Sequence, residues 1–178
     1  MQFKLTDVRL AFPNLFEPRA VNHDSEPAYS ATFIFLPTHK AHGDVMQAIE
    51  ALGREKWATK WPTVKKELEA KDRLPIHDGE SKAHYAGFEG HRFIATRSKT
   101  RPLVIDRDKA PLTGRDGRPY AGCYVNASID LWAQDNAYGR RINAALRGVQ
   151  FVRDGDAFGG AAPASSDDFE LIVEEALV

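Results

Sequence analysis

Polar and apolar positions alternate over Phe3 to Leu10, but the parity slips: Phe3 and Leu5 share one face, Val8 and Leu10 the other. The pattern predicts a strand with a bulge near Asp7. Phe12-Pro13-Asn14-Leu15-Phe16-Glu17-Pro18 carries two prolines, which should end regular structure and open a loop lasting to Pro27. Tyr29 to Leu36 (YSATFIFL) is dense in aromatic and β-branched residues and reads as a buried strand stopped by Pro37. The period then changes. Met46, Ile49, Leu52 and Trp57 fall near helical spacing, with Thr38 or Asp44 as the N-cap. Pro62 suits the start of a shorter second helix with Val64 and Leu68 on one face.

Strand signals return after Leu74. Turns are expected at Asp78-Gly79, Gly87 and Gly90, and His91 to Thr96 reads as a strand. Arg101 to Pro119 is a loop rich in proline, glycine and charge. Tyr120 to Gln134 is the clearest strand, followed by Arg141 to Val152. Gly159-Gly160-Ala161-Ala162-Pro163-Ala164-Ser165-Ser166 has the composition of a flexible linker. Five or six strands with a single helical insert, about 40–72, argue against alternating βαβ units. The expected fold class is mainly β, with a small barrel of the OB type or a small sandwich both compatible. Residues 1–158 form the domain, and 159–178 a linker and acidic tail.

The chain of 178 residues suits one domain with a real core. No apolar run approaches the roughly 20 residues of a membrane helix, and the N-terminus lacks a secretory pattern. The single cysteine, Cys123, excludes an internal disulfide and suits a reducing cytoplasm. The net charge of −1 hides an asymmetry. Residues 154–178 hold 7 acids (Asp154, Asp156, Asp167, Asp168, Glu170, Glu174, Glu175) and no Lys or Arg, so in the body 24 basic residues face 18 acidic ones. A basic body suits a polyanion, and an acidic tail suits an interaction arm.

Alternation places Cys123, Val125, Ala127, Ile129, Leu131 and Ala133 on one apolar face, which should line the core. The opposite face presents Tyr124, Asn126, Ser128, Asp130, Trp132 and Gln134, two large rings among hydrogen-bonding groups. Such a face can stack unpaired bases. In an extended chain Phe93, Arg97, Lys99 and Arg101 also share a face, with Arg92 beside them, combining a ring with cations for phosphates. Arg140, Arg141 and Arg147 extend the basic surface.

Enzymatic signatures are poor: no phosphate loop, dinucleotide fingerprint or nucleophile elbow is present. His39 with His42 lacks partners to complete a metal site, and Asp106/Asp108 and Asp154/Asp156 sit where turns favour Asp anyway. No catalysis, metal or cofactor is expected.

Several blocks resemble a family of phage single-stranded-DNA-binding proteins, long catalogued as a domain of unknown function. They are Phe12-Pro13-Asn14-Leu15-Phe16-Glu17-Pro18, Tyr29-Ser30-Ala31-Thr32-Phe33, Arg97-Ser98-Lys99-Thr100-Arg101-Pro102, Gly122-Cys123-Tyr124-Val125-Asn126-Ala127 and Val149-Gln150-Phe151-Val152-Arg153-Asp154-Gly155. The resemblance implies an OB-fold, sequence-tolerant binding of single-stranded DNA, a role in phage replication or recombination, and a variable acidic tail. That tail is represented here by Asp167, Asp168, Phe169, Glu170, Glu174 and Glu175, a place for replication or recombination proteins to dock. A barrel edge also leaves room for a homodimer. The rival readings are a protein–protein scaffold using the exposed aromatics and a metal-dependent nuclease using Asp106 and Asp108.

Overall fold

The computed structural model describes residues 1–159 and 169–173. Among them, seven strands and two α-helices run in the order β1 (Gln2–Arg19), β2 (Ala28–Phe35), α1 (Lys40–Trp57), α2 (Trp61–Ala70), β3 (Ile76–Asp78), β4 (Arg92–Ser98), β5 (Leu103–Ile105), β6 (Tyr124–Asn136) and β7 (Gly139–Arg153). Antiparallel pairing links β4–β2–β1–β6–β7, and a parallel contact between β4 and β7 at Arg97 and Ala145 closes the ring. The result is a five-stranded barrel of the OB type. Short β3 extends the β4 edge and short β5 the β7 edge. The barrel, not the sandwich, is the fold.

The bulge expected near Asp7 is present. The β1–β6 register slips between Leu5 and Val8, and Asp7 takes φ 53°. The slip lets Leu5, Val8 and Leu10 all face the core, each at most 1% exposed. The loop expected from Phe12 is a correction: β1 continues through both prolines to Arg19. Its pairing with β2 survives because the register shifts between Ala11 and Asn14 and again between Asn14 and Arg19. Pro13 and Pro18 fall inside those irregular stretches, where no ladder N–H is required of them. Two further corrections are smaller: the loop after Arg101 contains β5, and the long strand begins at Tyr124 rather than Tyr120. The strand signal that returns after Leu74 begins with the short β3.

The N-cap of α1 is His39, not Thr38 or Asp44. Its Nδ1 accepts the Ala41 N–H at 2.9 Å while Nε2 donates to the Asp7 carbonyl at 3.2 Å. One imidazole thereby joins the start of the helix to the β1 bulge. Val45, Ile49 and Leu52 of α1 and Val64 and Leu68 of α2 are buried in the same core as the barrel interior. Gly53 leaves the space in which the Trp61 ring lies, and that ring stacks on Trp57 with centroids 5.8 Å apart. Both indole N–H groups are satisfied, Trp57 donating to Asp135 and Trp61 to Glu50, each at 2.9 Å. Arg140 bonds Glu67 at 3.2 Å and approaches Asp135 at 3.6 Å, tying the β6–β7 hairpin to α2. No helix among the described residues is long and apolar enough to cross a membrane.

The core face expected on β6 is realised: Cys123, Val125, Ile129 and Leu131 are fully buried and Ala127 nearly so. Burial pushes the Cys123 thiol up to about 11, which keeps it neutral. Ile129→Ala would remove a side chain from this packed interior, and a loss of about 2–5 kcal/mol is expected. Urea unfolding followed by circular dichroism measures it; an unchanged midpoint would mean that the barrel interior relaxes freely around the deletion.

Candidate nucleic-acid interface

Where β4 meets β7 the barrel wall is built from small side chains. Ala28, Ser30, Ala95, Ser98, Ala144 and Ala145 line a groove of about 640 Å³ along this seam. Trp132 of β6 stands in it, 45% exposed. Arg73, Arg97, Lys99, Arg141 and Arg147 surround it, with Asp72 as the acid among the lining residues. The small residues leave depth, the indole offers a flat apolar face, and the cations supply charge. A single strand needs these three things: room for a base, a ring to stack on, and neutralisation of phosphate.

The cations differ in how they are engaged. Arg73 and Arg141 make no ion pair among the described residues. Arg97 donates to the Glu26 carbonyl at 3.0 Å, an uncharged partner. Lys99 meets the Glu26 carboxylate at 2.5 Å, but both side chains are more than 70% exposed, so water screens the pair. Arg147 reaches Asp130 at 3.4 Å. That carboxyl is held below its ordinary range, first by the hydrogen bond from the Met1 ammonium and then by Arg147.

The groove thus gathers five of the ten residues expected to bind nucleic acid: Arg97, Lys99, Trp132, Arg141 and Arg147. The other five lie elsewhere. Arg92 pairs with Asp78 at 3.5 Å, and Arg140 is spent on Glu67 and Asp135. Arg101 lies past the end of β4, exposed. Phe93 does share the outer face of β4 with Arg97, yet it is 4% exposed, covered by Phe88 and His77. Tyr124 sits eight residues from Trp132, roughly 27 Å along an extended strand. Its ring lies under the Arg153 guanidinium at 3.6 Å, with Arg9 at 5.7 Å. Gly155 abuts the same ring. Two groups of the lining, Arg73 and His77, were not singled out in the sequence. Arg73 lies just past the end of α2, and His77 sits on the three-residue β3.

Polar positions between the two rings are knit into the barrel. Asn126 accepts the Asp7 N–H at 2.9 Å and donates to Gln150 at 3.1 Å. Asp106, half of one candidate metal pair, bonds Arg118 at 2.7 Å, and Asp108 accepts the Ala110 N–H at 2.9 Å. Asp154 accepts from the Tyr120 hydroxyl at 2.7 Å. His39 is likewise committed as a cap. Of the tail, Phe169 and Glu170 are exposed, while Asp167, Asp168, Glu174 and Glu175 lie outside the described residues.

The amino-acid sequence matches the family described as "Enterobacter phage Enc34, ssDNA-binding protein" over residues 1–177. It is 44% identical over 178 residues to a protein designated p50 of Acyrthosiphon pisum secondary endosymbiont phage 1, covering 96% of this chain and 93% of that one. The fold resembles that of the single-stranded-DNA-binding protein from bacteriophage Enc34 in complex with single-stranded DNA. The TM-score there is 0.74 at 31% identity over 89% of each chain. Likeness to gp2.5 of bacteriophage T7, TM-score 0.59 at 15% identity over 94% of this chain and 92% of that one, is one of fold.

The Tyr120 hydroxyl is pushed up to about 12, chiefly by burial and then by the Asp154 carboxylate. In the unfolded chain the phenol ionises near its ordinary pKa of about 10. Its contribution to stability is therefore complete below about pH 10 and lost as pH rises from there through about 12. Thermal unfolding between pH 8 and pH 12 should show a steeper decline in the parent than in Tyr120→Phe; parallel curves would show that this hydroxyl carries none of the decline.

Proposed function

The chain belongs to the single-stranded-DNA-binding protein family of Enterobacter phage Enc34, and on that basis we propose that it coats single-stranded DNA during phage replication or recombination. The observation that carries the reading is the seam groove, where an exposed Trp132 stands among five cations and small side chains. A base stacks on the indole, and Arg73, Arg97, Lys99, Arg141 and Arg147 neutralise the backbone on either side. Sequence tolerance follows, because every base offers a π-face.

The role is non-catalytic and is played in the cytoplasm of the bacterial host. The acidic tail competes weakly for the groove or docks replication and recombination proteins. A homodimer is compatible with the open face of β5, where Leu103 is 62% exposed.

Trp132→Ala should weaken binding to oligo-dT by roughly 5- to 150-fold, the range of about 1–3 kcal/mol for one stacked base. Fluorescence anisotropy measures it, and wild-type affinity in a folded variant would remove Trp132 from the interface. Arg97→Ala and Arg147→Ala should each lower affinity and reduce the slope of log K against log salt by about 0.7, one phosphate contact apiece. Unaltered salt slopes would place the phosphates elsewhere. Deleting residues 161–178 should raise affinity at low salt; no rise would leave docking as the role of the tail.

A further inference from the structure

A second aromatic surface lies on the outer side of β1, β2 and β4. Ala11, Ile34 and Phe93 point outward there and are roofed by Phe88, from the segment between β3 and β4. Phe12 and Tyr85 stand at the margin, each 43% exposed, with ring centroids 5.1 Å apart and nearly perpendicular. Phe12, His84, Tyr85, Phe88 and Phe158 enclose a cavity of about 380 Å³. Phe12 holds φ 48°, a costly conformation for a bulky residue, and this turns its ring out of the β1 ladder.

A chain of ring contacts, buried at Phe88 and Phe93, links this surface to the groove. Ring contacts run from Phe12 to Phe88 (5.7 Å), to Phe93 (5.3 Å) and to His77 (5.1 Å), and His77 lines the groove. The Lys82 ammonium lies 5.8–5.9 Å from the ring centres of Phe12, Tyr85 and Phe93, within cation–π reach of all three. Of the neighbouring acids, Asp78 faces Arg92 and Glu80 accepts the Gly90 N–H at 2.8 Å, while Glu89 is exposed. Exposed rings around a shallow apolar cavity, with a cation above them, suit a base and its phosphate.

We propose that the Phe12–Tyr85 cavity is a second base-binding subsite, filled by a strand that leaves the seam groove past His77. The proposal rests on the reading of the groove as the first subsite. A strand lying across both sites makes the affinity depend on oligonucleotide length in a way one groove does not. Lys82 takes the phosphate, and Tyr85 and Phe12 take the base.

The test is a ladder of oligo-dT from about 4 to about 20 nucleotides, spanning the site sizes of OB-fold binders. It is measured by anisotropy on the intact chain, Tyr85→Ala, Tyr85→Phe and Trp132→Ala, with circular dichroism to verify folding. Tyr85→Ala should match the parent on the shortest oligomers and lose roughly 5-fold or more on the longest, the lower bound for one stacked base. Tyr85→Phe should keep the parent affinity at every length. Photo-crosslinking with halogenated deoxyuridine, read by mass spectrometry, should label the peptide containing Tyr85. If Trp132→Ala loses affinity at all lengths while Tyr85→Ala loses none, the second subsite is overturned and the groove stands. If Trp132→Ala loses none at any length, the groove reading falls and the subsite with it.

Discussion

Closure of the barrel depends on β4 and β7 meeting in parallel, and among the described residues they meet through one bridged pair, Arg97 and Ala145. Strands that run alongside each other without a hairpin between them must be brought together by the rest of the sheet. Here the long β6–β7 hairpin, the bulged β1 and the β2–β4 ladder bring them together. Small side chains line much of the seam, Ala95 and Ser98 on one strand and Ala144 and Ala145 on the other, beside the longer Arg97. They leave a trough on the outside of the barrel where it closes. The groove lies where the barrel closes.

Arginine carries two kinds of work in this molecule, and neighbouring carboxylates decide which. Arg118, Arg140 and Arg153 face Asp106, Glu67 and Asp7 across short distances and hold loops or hairpins in place. Arg73 and Arg141 lie in the groove with no such partner among the described residues, where their charge is open to an anion. Aromatic residues divide in the same way. Phe93 and Tyr124 have their faces covered by the protein, whereas Trp132, Phe12 and Tyr85 keep theirs open.

The helical insert contributes more than a cap. Its inner face completes the core, and the turn that follows α2 delivers Arg73, Leu74 and Pro75 to one wall of the groove. The His39 ring bonds the Asp7 carbonyl, so the start of α1 is registered against the β1 bulge. The position of the groove wall is thus tied to an irregularity on the far side of the barrel.

Much of this fold is legible in the amino-acid sequence. The bulge at Asp7, the buried face of β6, the two helices and the division between a basic body and an acidic tail follow from periodicity and composition, because each is a local property. The family resemblance carried by short blocks added the barrel, which periodicity alone left level with a sandwich. The prolines at 13 and 18 misled because a strand accommodates them wherever its register slips, and slippage depends on the partner strand. Of the ten residues read as binding nucleic acid, five line the groove and five lie elsewhere. Tyr124 and Trp132 share a strand face and yet serve different ends of it, and Phe93 shares a face with Arg97 yet lies under Phe88. Alternation fixes which side of a sheet a residue occupies. What covers that side is set by segments distant in the chain, and only the tertiary structure decides it.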